Sequence, residues 1–163
     1  MSPTSSLRSA ALVALAVVAA DQVTKAAVKR AIPEYAMIPL APFLSFTFVW
    51  NTGAAFSLLA GAPAIVRLPL FVGVTVSAVW LLVSFVRRLP DSARATRIAV
   101  GLILGGAVGN LVCRIRYGRV VDFVYLHWRD WYWPAFNVAD AAITIGVATV
   151  LLESLRGRTD SST

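Results

Sequence analysis

Four stretches of this chain are apolar for long enough to cross a lipid bilayer. They run over about residues 7–28, 64–86, 97–113 and 137–155. A spanning helix needs about 20 mostly apolar residues to traverse ~30 Å of hydrocarbon, where every backbone N–H and C=O must be satisfied internally. A soluble domain of this size cannot hide such runs. Of 163 residues, 58% are hydrophobic and 14% charged, against about 45–50% and 25% in soluble domains, and a small domain buries a lesser share of its surface than a large one. The expected fold is an all-α membrane protein with four transmembrane helices, organised as a single integral membrane domain over residues 1–163.

The first run has a second reading. Arg8, the apolar residues after it and Val18-Ala19-Ala20 resemble the charged, apolar and small-residue regions of a cleaved signal peptide. Helix-compatible residues nevertheless continue through Val28, and Asp21 and Lys25, four apart, share one helical face. A retained span is the expectation.

The net charge of +7 does not point to nucleic acid. A nucleic-acid surface gathers its Arg on polar faces, whereas here they stand between apolar runs, where they flank spans and face anionic membrane lipids. Cys113 and His127 are each the only residue of their type. They offer no metal-ligand spacing, so neither metal nor cofactor is expected.

Lys and Arg counts tie at seven on each side of the four spans. The compact cluster Arg87, Arg88, Arg94 and Arg97 favours a cytoplasmic position for that loop and for both termini. Residues 30–63 and 114–136 then lie on the exoplasmic side. In the first of these, Phe43-Leu44-Ser45-Phe46-Thr47-Phe48-Val49-Trp50 reads as a strand of a hairpin, a small extramembrane β element. The second is basic and then aromatic, from Tyr117 to Trp133, and reads mainly as an interfacial belt.

Ionisable residues in or at the ends of spans are costly, and each invites a functional reading. Asp21, Asp122 and Asp140 all fall toward the exoplasmic side. Asp122 and Asp140 are 18 residues apart, and a short excursion between antiparallel spans would bring them together. Two facing carboxyls share a proton and titrate as a unit. One can take a proton from water attacking a carbonyl while the other protonates the carbonyl oxygen, which is hydrolysis without metal or covalent intermediate. Each acid also has a structural reading. Asn137 and Asp140 have capping-box spacing, and Asp122 can pair with Arg114, Arg116 or Arg119. Two other classes fit some of the features. A proton-coupled carrier would use the same acids but calls for an internal repeat or broken helices, and the sequence has no repeat. An assembly or anchoring protein would need the polar residues for packing alone.

Five blocks occur in order: Asp21-Gln22-Val23-Thr24-Lys25; Asn51-Thr52-Gly53-Ala54-Ala55-Phe56-Ser57; Gly105-Gly106-Ala107-Val108-Gly109-Asn110-Leu111 with Arg114; Gly118-Arg119-Val120-Val121-Asp122-Phe123; and Phe136-Asn137-Val138-Ala139-Asp140-Ala141. Together they closely resemble the motif blocks of the bacterial lipoprotein signal peptidases (signal peptidase II). The resemblance implies an aspartyl endopeptidase of the inner membrane. Such an enzyme removes the signal peptide from diacylglyceryl-modified prolipoproteins, on the amino side of the lipidated cysteine. It also implies Asp122 and Asp140 as the catalytic pair. Asn51, Gly106, Asn110, Arg114, Asn137 and Ala139 would stand around the active site, with Asp21 and Lys25 in a structural or positioning role. Globomycin-type cyclic peptides would be inhibitors. Gly105, Gly106 and Gly109 also permit close helix approach in a membrane, and packing alone is their alternative reading.

Overall fold

The computed structural model describes residues 3–53, 61, 63–90 and 92–159. Among them, four helices are long and apolar enough to cross a membrane: α1 (Pro3–Ala31), α2 (Ala64–Val86), α3 (Arg94–Tyr117) and α4 (Val138–Thr159). An antiparallel sheet in the order β1-β2-β3-β4 accompanies them, formed by β1 (Met37–Ala41), β2 (Leu44–Asn51), β3 (Val120–Trp128) and β4 (Trp131–Tyr132). The all-α membrane architecture with a small β element is therefore the observed fold.

The third helix is the centre of the bundle. Half of its span is buried inside the protein, against 6% for α2. It packs on α1 along one side and α4 along another, while α2 lies outside against α3. The exposed Ile65, Val74, Val76, Trp80 and Leu81 of α2 suit a helix whose solvent is lipid. Ala10, Val86, Val100 and Leu104 form a buried apolar cluster among α1, α2 and α3.

The third apolar run reads as ending at Cys113, but the helix continues for another turn to Tyr117. Gly118 ends it there in the left-handed region, with its N–H bonded to the Arg114 carbonyl. Hydropathy falls at Arg114, yet the backbone needs no apolar residue to continue helical; the glycine sets the stop.

The β2 hairpin is present. Register pairs Met37 with Thr47 and Ala41 with Leu44, with an irregularity between Pro39 and Ala41. Proline has no N–H to give, which suits β1 as an edge. The basic-aromatic segment is more than a belt: residues 120–128 form β3, which runs antiparallel to β2 with Val49 opposite Asp122 and Asn51 opposite Val120. Val121 and Phe123 bury one part of the sheet with Phe48 and Ile32, against Val28 of α1 and Val138 of α4. That cluster fixes the sheet at the end of the bundle where α1 and α3 finish and α4 begins.

Candidate active site

The approach to α4 is tied to β3. Phe136 N–H donates to Val124 O at 3.0 Å and Val124 N–H returns to Phe136 O at 2.8 Å. The next residue, Asn137, is thereby placed beside Asp122 two positions back along β3. Asn137 is fully buried. Its Oδ1 accepts from Asp140 N–H at 3.0 Å, and Asp140 Oδ2 accepts from Asn137 N–H at 3.3 Å. This is the reciprocal capping box that the spacing allows. Capping does not remove Asp140 from the site. It turns the carboxyl back over the helix start, where Oδ1 accepts from Asn110 Nδ2 at 2.7 Å.

Asp122 is 2% exposed. Its Oδ1 accepts from Asn137 Nδ2 at 2.6 Å and its Oδ2 from Asn51 Nδ2 at 2.9 Å. Asn51 is itself oriented, because its Oδ1 accepts from Gly53 N–H at 2.9 Å. The ion pair with Arg114, Arg116 or Arg119 is not formed among the described residues: Arg114 Nη2 donates instead to the Gly53 carbonyl at 2.9 Å, and its guanidinium lies 4.3 Å from the Phe71 ring centre. Asn51, Asn110, Asn137, Asp122 and Asp140 thus form one hydrogen-bonded group drawn from β2, α3, β3, α4 and the residue that caps α4.

Asp21 and Lys25 support this group from α1. Asp21 is fully buried. Its Oδ2 accepts from Lys25 Nζ and from Gln22 Nε2, both at 2.9 Å, and its Oδ1 accepts from Ala139 N–H at 3.1 Å. An anion at the N-terminus of α4 satisfies an orphan backbone donor and complements the helix dipole. Lys25 Nζ also donates to Asn110 Oδ1 at 2.9 Å, and Asn137 Nδ2 reaches that same oxygen at 3.3 Å. With Oδ1 occupied by donors, Asn110 presents its NH₂ to Asp140.

Two glycines of α3 make the approach possible. A Cβ on Gly106 would strike the Ala139 carbonyl oxygen and come within 2.7 Å of Ile143 Cγ1. A Cβ on Gly109 would lie 2.8 Å from Asp21 Oδ2. Gly106→Ala is expected to destabilise the fold by about 1–3 kcal/mol through forced separation of packed backbone, seen as a lowered melting temperature in detergent. An unchanged melting temperature would show that α3 and α4 have slack.

Burial raises the Asp122 carboxyl from its usual 3.8 to about 6, and the charge of Asp140 adds to the rise. The bonds from Asn51 and Asn137 and the charge of Lys25 act in the opposite direction. All four carboxyl oxygens already accept an amide N–H. A proton added to the pair must occupy a remaining lone-pair direction, facing water, a substrate or the other carboxyl. The arrangement can hold a water as base and protonate a carbonyl oxygen.

A family model described as signal peptidase (SPase) II matches residues 13–156. The chain belongs to that family. Lipoprotein signal peptidase of Syntrophotalea carbinolica is 44% identical over 146 residues, 89% of each chain. The enzyme of the same name from Pseudomonas syringae pv. tomato is 43% identical over 150 residues, covering 90% of this chain and 86% of the relative. A bacterial membrane enzyme solved by the in meso method has the same fold, with a TM-score of 0.84 and 30% identity over 93% of this chain and 90% of that one. As a member of the signal peptidase II family, the protein is an aspartic peptidase with several membrane-spanning helices.

Two further residues bond at the edge of this group, and neither stands out in the sequence as a site residue. Gln22 donates to Asp21, to Gly109 O at 3.1 Å and to Cys113 Sγ at 3.6 Å. Arg67 of α2 donates to Thr52 O at 2.8 Å, so two guanidiniums hold consecutive carbonyls just beyond Asn51. Arg67 stands inside an apolar run, and that was the available signal. Residues 54–57 of the second motif block lie outside the described residues.

Proposed function

We propose that this protein removes the signal peptide from diacylglyceryl-modified prolipoproteins, cutting on the amino side of the lipidated cysteine, with Asp122 and Asp140 as the catalytic pair. The ionised member takes a proton from water as it attacks the scissile carbonyl. The protonated member donates to the carbonyl oxygen, and the tetrahedral species then collapses with protonation of the leaving amine. The observation that carries this reading is Asn137. One buried amide donates to Asp122 while its backbone N–H and side-chain oxygen hold Asp140, so a single residue fixes the two carboxyls relative to each other. Arg114 Nε is buried and has no hydrogen-bond partner among the described residues, which suits it to a substrate carbonyl. Globomycin-type peptides would compete for the same space.

The protein sits in the bacterial cytoplasmic membrane with both termini in the cytoplasm and the carboxyl pair on the exoplasmic side. A site at the helix ends admits water while the substrate's acyl chains remain in the bilayer. Incubation of the purified protein with diacylglyceryl-modified and unmodified precursor is expected to cleave only the former. Equal cleavage of both would overturn the substrate assignment.

The pair is active with one proton. Because the Asp122 carboxyl is raised to about 6, a proton held there leaves as pH climbs through this value. The alkaline limb of kcat/KM, which reports the free enzyme, should start no lower than about pH 6. Asn51→Ala removes a bond that favours the carboxylate and should shift the limb to higher pH. A limb below pH 5, or a downward shift in Asn51→Ala, would contradict the assigned roles.

A further inference from the structure

At the bundle end that carries the carboxyl pair, a row of cations and rings borders a cavity between α1 and α3 that the proposed chemistry does not use. Lys29 Nζ stands 3.9 Å from the Tyr117 ring centre and 5.6 Å from that of Trp50. Arg116 lies over the same Tyr117 at 5.3 Å, and Arg119 over the same Trp50 at 4.1 Å. The two rings are 5.6 Å apart. The order is thus Arg116, Tyr117, Lys29, Trp50, Arg119. Among the described residues, none of the three cations is in an ion pair.

Three like charges on two touching rings repel one another. The rings fix their positions through cation–π attraction but supply no net negative charge. The adjoining cavity of about 110 Å³ is lined by Gln22, Lys25, Lys29, Arg116 and Tyr117 among others. That is room for a few waters, hence for a compact polar group rather than an acyl chain. Lys25, 3% exposed, also lines it, but its charge is matched by Asp21 at 2.9 Å, so the uncompensated charge at the cavity comes from Lys29 and Arg116. Lys29 and Arg116 belong to the last turns of their helices, at the depth where rings such as Trp50 and Tyr117 favour the headgroup layer.

We infer that this cavity is a binding site for the phosphodiester headgroup of an anionic phospholipid, with Lys29 and Arg116 at its mouth and the acyl chains lying along α1 and α3. The cations screen one another poorly without an anion, and the surrounding membrane supplies phosphodiesters at high local concentration. The site is separate from the carboxyl pair, but Lys25 belongs to both surroundings: it lines the cavity and bonds Asn110.

The test uses the full-length protein extracted in neutral detergent from bilayers holding equal phosphatidylglycerol and phosphatidylcholine, with the retained lipid quantified by mass spectrometry. The wild type should retain phosphatidylglycerol selectively. Each cation near the surface contributes about fivefold to anionic-lipid affinity, so Lys29→Gln/Arg116→Gln should lose roughly 25-fold in phosphatidylglycerol affinity. The charge-matched control Arg87→Gln/Arg88→Gln, exposed and at the other end of the bundle, should not. If the double variant does not purify, Lys29→Gln alone should show the fivefold loss. Equal retention of both lipids, equal loss in the control, or undiminished retention in the cavity variants would each overturn the site. In delipidated protein, thermal stabilisation by inorganic phosphate equal to that by phosphatidylglycerol would overturn the lipid assignment in favour of free phosphate.

Discussion

Asp122→Asn and Asp140→Asn are each expected to reduce kcat/KM on a lipidated precursor by about 10²–10⁴-fold or more, the range that a positioned acid or base supplies. The physical reason is specific to this site. All four oxygens of the pair are acceptors facing amide donors. An asparagine at either position can neither carry the mobile proton nor accept at both ends. In Asp122→Asn the new NH₂ must face Nδ2 of Asn51 or of Asn137. Neither can turn over freely: Asn137 Oδ1 caps the Asp140 amide and Asn51 Oδ1 accepts from Gly53. A stability loss of about 1–3 kcal/mol from the unpaired donor is therefore expected alongside the catalytic loss. The two are separable, because the folded fraction can be measured by thermal unfolding and the rate corrected for it. Near-wild-type turnover by the folded fraction of either variant would remove that residue from the mechanism.

Lys25→Met is expected to destabilise the fold by about 3–5 kcal/mol, more than either asparagine change in the carboxyl pair. Asp21 and Lys25 are 0% and 3% exposed and bonded at 2.9 Å. Removal of the ammonium leaves a buried carboxylate with, among the described residues, Gln22 Nε2 and the Ala139 N–H as its donors. It also frees Asn110 Oδ1, so the amide that supports Asp140 can reorient. The double variant Lys25→Met/Asp21→Asn should be less destabilised than Lys25→Met alone, since a neutral amide needs no counter-charge. Melting temperatures of the wild type, both single variants and the double variant form the cycle. A double variant at least as unstable as the sum of the singles would show that hydrogen bonding and packing, rather than charge compensation, set the value of the pair.

The limits of the sequence reading follow from what each residue must touch. Asn137 reads as a cap from three residues of local sequence, and as polar glue from its place at the end of a span. Its third role, donating across to Asp122, depends on Phe136 being bridged to Val124, a pairing that spans a turn of no marked sequence character. Arg114 was open to bonding the carboxyl pair. It holds Gly53 instead, because the chain beyond β2 passes closer to it than the acids do. Gln22 and Arg67 make their bonds to backbone carbonyls of distant elements, and no local pattern announces a carbonyl as a partner.

By itself the sequence determined that the chain lives in a membrane, that four helices cross it and that a β element accompanies them. Apolar length and the need to satisfy backbone polar groups within hydrocarbon leave few other folds open. Its motif blocks also determined the family. The tertiary structure decided which donors hold each carboxyl oxygen, how α1 supports a site built from β2, β3, α3 and α4, and where cations and rings gather around a cavity. Those outcomes depend on contacts between residues up to 118 positions apart, whose distances and hydrogen-bond directions exist only once the helices have packed.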